Sequence, residues 1–192
     1  MISVFSPENF KTIPWKNGKG ETIELAINDG GTLDDFIWRL SMTNVVEDGV
    51  FSDFSGYQRH LILIEGNGIS LQHDHNQIDK LTRILEVANF DGACGTVGRL
   101  HAGAITDFNI ITHQEKCSVN VETYSEQQKI ELKVADICFV YSLFGDFIIF
   151  GENEAPRKIK KDRLLRFSQR VERNFFIEGQ QLIVIYFDLS DS

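Results

Sequence analysis

The side chains with chemistry to offer are two arginines, a pair of histidines and a closely spaced acid and amide. Arg59 stands between an aromatic, glycine-containing turn, Phe51-Ser52-Asp53-Phe54-Ser55-Gly56-Tyr57, and the apolar run Leu61-Ile62-Leu63-Ile64. That setting raises interest in a residue type normally left at the surface, because guanidinium is suited to gripping a carboxylate in bidentate fashion inside a partly dry pocket. Asp107 and Asn109 straddle Phe108 and share a face of an extended chain, where they either close a polar pocket or cap a turn. His73 and His75 would also share a face, as metal ligands do, with Asp79 as a third candidate. The polar run HDHNQID around them reads more naturally as an exposed hairpin turn, so no metal is assigned. Gly18-Lys19-Gly20 lacks both the GKS or GKT ending and the following helix of a phosphate loop. No nucleophile elbow or supported acid/base pair is present, and the isolated His101 and His113 read as structural, so no catalytic residue and no cofactor is assigned.

Short strands must carry these groups. Strand signals fall at residues 22–27, 36–43, 59–65, 69–72, 119–124, 129–134, 137–139, 147–150 and 181–187, separated by turn formers such as Asn28-Asp29-Gly30-Gly31 and Gly66-Asn67-Gly68. Fifteen Phe and only three Pro agree with an all-β barrel or sandwich. In residues 36–43, Phe36, Trp38, Leu40 and Met42 lie on one face and Ile37, Arg39, Ser41 and Thr43 on the other. The polar face is either solvated or turned into the lumen of a barrel, where Arg39 and Ser41 would meet a ligand. A weak helical period, Leu164, Phe167 and Val171, suggests one or two short helices near the C-terminus.

The chain has 192 residues and a net charge of −9, long enough for one large domain or two small packed ones. An acidic surface argues against nucleic acid or an anionic membrane as partner. The charge is uneven, since residues 157–173 carry +6 and the remainder −15. That strip suits an acidic partner or a second copy of the chain, a homodimer that salt would weaken. Cys94, Cys117 and Cys138 form no CxxC pair, and no secretory or membrane-spanning segment is visible, which together point to a reducing cytoplasm.

The ordered set PWKNGKGET at 14–22, FIWRLSMTNVVEDGVFSDFSGYQRHLILIEGNG at 36–68 and GAITDFNIIT at 103–112 resembles the HutD/Ves family. The family pattern runs approximately W-x-N-G-x-G-x-T, W-R-x-S, D-G-x-F-S-x-F-x-G-x-x-R and D-F-N. The resemblance implies a bicupin, two small cupin-like β-barrels in one chain, with no established enzymatic activity and an association with histidine utilisation. It implies a ligand pocket in the N-terminal half, with Arg59 at the place of the family's pocket arginine. Trp15, Asn17, Thr22, Arg39, Ser41, Ser52, Asp107 and Asn109 match other motif positions. Two departures stand out: the basic pair that usually follows D-F-N is replaced by Ile110-Ile111-Thr112-His113-Gln114, and the family has no fixed histidines at 73–75.

The expected division is a motif-bearing barrel at 1–110 and a second barrel at 111–192, with strands exchanged between the halves. The expected function is binding of a small carboxylate metabolite of histidine utilisation, in regulation of that pathway. The alternative is a cupin-type enzyme of unknown reaction, either metal-dependent through His73 and His75 or metal-free.

Overall fold

Short alternating runs separated by Gly, Asn and Asp become strands throughout the computed structural model, which describes residues 1–15, 20–74, 77–151, 155–168 and 175–190. The first eleven are β1 (Ile2–Phe5), β2 (Lys11–Pro14), β3 (Glu21–Ile27), β4 (Trp38–Val45), β5 (Gly49–Val50), β6 (Tyr57–Glu65), β7 (Ile69–Gln72), β8 (Ile78–Leu81), β9 (Val87–Asp91), β10 (Val97–Leu100) and β11 (Ile105–His113). Then come β12 (Cys117–Tyr124), β13 (Gln128–Glu131), β14 (Ile137–Ser142), β15 (Phe147–Phe150), β16 (Arg157–Ile159), β17 (Leu164–Ser168), β18 (Phe176–Gly179) and β19 (Leu182–Leu189). No α-helix occurs among the described residues, and none of their helices is long and apolar enough to cross a membrane.

The chain divides into two units. Phe10–Cys117 forms one, while Met1–Asn9 joins the chain from Ser118 onward in the other. In the second unit a five-stranded sheet runs β1-β17-β14-β19-β12 and a four-stranded sheet runs β13-β18-β15-β16. Both sheets contribute to one apolar core, with Val140, Leu165, Phe167, Val184 and Tyr186 from the first and Phe147, Ile149 and Ile177 from the second. The helical period of the basic segment is overridden here. Residues 164–168 are a strand held between β1 and β14, with Leu164, Leu165 and Phe167 buried; Val171 lies outside the described residues.

In Phe10–Cys117 a six-stranded sheet runs β2-β3-β4-β11-β6-β9 and a four-stranded sheet runs β5-β10-β7-β8. They pack through Leu61, Leu63, Ala88, Phe90 and Ile105 on one side and Ile69, Leu71 and Leu81 on the other. Every pairing is antiparallel, so residues opposite one another share a face. The register sets Arg39 and Ser41 of β4 opposite Ile111 and Asn109 of β11, and Arg59 of β6 opposite Ile111 and Phe90. One face of this sheet therefore gathers Arg39, Ser41, Thr43, Asp107, Asn109 and Arg59. The other carries the buried Trp38, Leu40, Phe108, Ile110 and Ile62.

Turns hold this register. The Asn28 side-chain oxygen accepts from Ile37 N at 2.6 Å and Trp38 N at 3.3 Å, tying the start of β4 to the preceding turn. Gly92 N donates to Tyr57 O at 2.8 Å, and Phe54 N donates to Gly92 O at 2.9 Å. A Cβ at Gly92 would overlap the carbonyl oxygen of Phe54 and lie 2.8 Å from that of Tyr57. Both obstacles are backbone, so Gly92→Ala is expected to lower stability by about 1–3 kcal/mol in urea denaturation; an unchanged midpoint would contradict this packing.

His60, adjacent to Arg59, points to the opposite face. It is 8% exposed with Nδ1 unpartnered, and burial lowers its pKa from 6.5 to about 4. The fold thus favours the neutral ring, so its contribution is full above the unfolded value and is lost as pH falls toward the folded one. Between pH 6.5 and about 4, wild type should lose about 3 kcal/mol relative to His60→Gln, read from denaturation curves of both proteins; a constant difference would refute the assignment.

Candidate functional site: a buried arginine in an aromatic cage

The segment between β5 and β6 is fastened before it delivers its groups. Phe51 N donates to Thr96 O at 2.9 Å and Tyr57 N to Phe54 O at 3.0 Å, while Asp53 Oδ1 accepts from Ser55 N at 2.8 Å. Gly56 takes a φ of 88°, a left-handed conformation that costs glycine little. The Tyr57 ring packs on Phe36 with centroids 4.5 Å apart, and its hydroxyl accepts from Phe36 N at 3.3 Å. The result is a rigid arm that places Phe51, Phe54 and the Ser52 carbonyl around Arg59.

Arg59 is 5% exposed. Its guanidinium carbon lies 5.4, 5.2 and 5.2 Å from the ring centroids of Phe51, Phe54 and Phe90, within cation–π range of all three. Nη1 donates to Ser52 O at 3.2 Å and Nη2 to Asn109 Oδ1 at 3.1 Å, while Nε has no partner. Asn109 passes the connection on, its amide nitrogen donating to Asp107 Oδ1. Asp107 is 0% exposed and its Oδ2 is unpartnered. Burial raises the Asp107 pKa to about 7, against the pull of the Arg59 charge and the Asn109 hydrogen bond. Burial likewise lowers Arg59 to about 10, with Asp107 opposing.

Arg39 lies on the same face but in a different state. Its Nε donates to Glu24 Oε2 at 2.8 Å, both side chains are buried, and Lys11 Nζ stands 3.9 Å from the other Glu24 oxygen. Its charge is answered from within the protein. Ser41 is buried opposite Asn109 and Glu24. At the sheet's other margin Trp15 Nε1 donates to Thr22 Oγ1 at 3.0 Å, and Thr22 lies 3.4 Å from Thr43 Oγ1.

Several sequence expectations take definite form. On the polar face of β4, Arg39 and Ser41 are buried and Thr43 half-buried, so the face is not solvated. Asp107 and Asn109 sit mid-strand in β11 and cap no turn. Ser52 offers its backbone carbonyl to Arg59, with its side chain exposed. Asn17 and His75 lie outside the described residues. His73 is no exposed turn residue: it is 4% exposed, with Nδ1 2.8 Å from Thr96 Oγ1, Nε2 3.2 Å from Asp79 Oδ2 and its ring 4.6 Å from that of Phe90. Among the described residues no group of three His, Cys, Asp or Glu is placed to hold a metal. Sequence reasoning missed Glu24 and Phe90. The alternation of Thr22 with Glu24 carried a trace of the first, whereas Phe90 reaches the site only through strand pairing.

Paired antiparallel sheets around a partly polar interior, all β in content, define a cupin-like protein. The HutD family model matches residues 7–185, and the chain belongs to the HutD family. It is 31% identical over 129 residues to an uncharacterised 21.2 kDa protein in the hutC 3′ region of Pseudomonas putida, covering 67% of each chain. It is 33% identical over 108 residues to protein Ves of Escherichia fergusonii, 56% of each chain. HutD from Pseudomonas fluorescens SBW25 superposes with a TM-score of 0.85 at 28% identity over 100% of both chains. Salicylate 1,2-dioxygenase from Pseudoaminobacter salicylatoxidans shares the fold alone, with a TM-score of 0.61 at 6% identity, covering 97% of this chain and 80% of its own.

Asn109 is the joint of the site, accepting from the guanidinium and donating to the carboxylate. Asn109→Ala leaves both charged neighbours short of a buried partner and should cost about 1–3 kcal/mol in denaturant unfolding. A cost within about 0.5 kcal/mol, the range of a surface substitution, would remove it from that role.

Proposed function

We propose that this chain binds a small carboxylate metabolite of histidine utilisation in the cytoplasm and acts in regulation of that pathway. The observation that carries the reading is Arg59, a buried guanidinium with an unpartnered Nε, walled by three phenylalanines and without an ion pair among the described residues. Two of its N–H groups are used on neutral oxygens, so the geometry leaves it short of an anion. The contrast with Arg39, already matched to Glu24, supports Arg59 as the arginine that meets the ligand. The aromatic walls supply the apolar lining common to small-molecule sites, with Asn109, Asp107 and Ser41 as orienting groups. The pathway assignment draws on the HutD family and on the hutC-region relative from Pseudomonas putida.

Calorimetric titration with N-formylglutamate, urocanate and related acids tests it. Arg59→Ala should weaken binding by about 2–5 kcal/mol, and Arg59→Lys, which keeps the charge but loses the planar fork, should fall between that variant and wild type. Equal binding by wild type and Arg59→Ala, or no binding by wild type, would sink the reading.

A further inference from the structure

Among the described residues of the buried site, Arg59 is a cation and Asp107 a carboxyl group without an ion pair. Arg39 contributes no net charge, because Glu24 lies 2.8 Å away. Asp107 has one oxygen held by the Asn109 amide and the other without a partner. Asn109 also accepts from Arg59 at 3.1 Å, so a single amide separates the carboxyl from the guanidinium. A carboxylate brought to Arg59 would place two anions beside one cation at a position closed to water. Like charges in such a place do not both persist, and the usual resolution is one shared or captured proton.

We propose that Asp107 takes up a proton when a carboxylate binds at Arg59, so that the ligand is held as a carboxylate and carboxylic acid pair beside one guanidinium. This rests on the carboxylate reading above. The proton comes from solvent and goes to Asp107, no ligand bond forms or breaks, and the net charge of the site is the same before and after. The protonated oxygen gains a donor for the ligand, while Nε–H of Arg59 supplies another.

The surroundings favour that outcome. Among the described residues, the charged and titratable groups on faces packed around Asp107 are Arg59 on β6, Arg39 on β4 with Glu24 on β3, and His73, just after β7, with Asp79 on β8. Arg59 and the Asn109 amide hold the carboxyl down, yet burial still raises its pKa from 3.8 to about 7. A second anion pushes it further in the same direction. Affinity should therefore be level below about pH 7 and fall about tenfold per pH unit above it, because the binding step must then collect a proton.

The test titrates wild type, Asp107→Asn and Arg59→Ala with N-formylglutamate, ionised throughout, from about pH 6 to about pH 9. At about pH 8, paired buffers of different ionisation enthalpy should report uptake of close to one proton by wild type. Asp107→Asn, which mimics the protonated acid, should bind with a flat pH profile and more tightly than wild type at the alkaline end. Arg59-dependent binding with no proton uptake and a flat wild-type profile would overturn the inference and leave the carboxylate reading standing. An Asp107→Asn variant that keeps the slope would also overturn it. Absence of wild-type binding at every pH would overturn both. Should Asp107→Asn fail to fold, the wild-type proton count decides by itself.

Discussion

Taking a guanidinium out of water costs several kcal/mol unless its N–H groups find acceptors and its charge a counterpart. Arg59 meets that demand with two neutral oxygens, three aromatic faces and a carboxyl one amide away. Much of the Phe10–Cys117 unit can be understood through this requirement. The pairing of β11 between β4 and β6 brings Asn109 within reach. The turn hydrogen bonds at Gly92 and Thr96 hold the arm that carries Phe51, Phe54 and the Ser52 carbonyl. The compensation is partial, and the proposed binding of a carboxylate rests on that, since a guanidinium fully neutralised inside the fold has little left for a ligand.

Arg39 and Arg59 show two solutions to the same problem within one sheet face. Arg39 is closed by a direct carboxylate contact and serves the structure. Arg59 is held in place by weaker partners and remains open. Removing one member of the closed pair would strand a buried charge, which gives that pair its hold on the β3–β4 register without giving it a ligand. Under the proposed carboxylate reading, the charge of Arg59 would select anions and Phe51, Phe54 and Phe90 would select among them by shape.

The sequence made the strands legible through alternation, and it offered Arg59, Asp107 and Asn109 as candidates that the structure joins in one hydrogen-bonded chain. Residues 69–72 and 147–150 were bounded as the structure has them. Other features depend on partners distant in the chain. Nothing local to Ile105–His113 says that it lies between β4 and β6, so mid-strand and turn were equally open for Asp107. Glu24 meets Arg39 across 15 residues and a register shift between Glu24 and Ala26, a geometry invisible to period-2 counting. His73 lies in a polar run that looks like a surface turn, yet Thr96 and Asp79 supply the hydrogen bonds that permit its burial. Leu164 and Phe167 had helical spacing because two buried residues three apart also fit a strand whose neighbours cover both faces.

The position of β1 has a temporal meaning. Ile2 pairs with Phe167 and Phe5 with Leu164, so β1 belongs to a sheet whose matching strand, β17, comes far later in the chain. Because synthesis runs from the N- to the C-terminus, all of Phe10–Cys117 is made before β17 exists to pair with β1. Pairings so remote in sequence carry a large loop-closure entropy and form slowly. Every residue of Phe10–Cys117 is therefore synthesised before the β1–β17 pair of the other sheet can close.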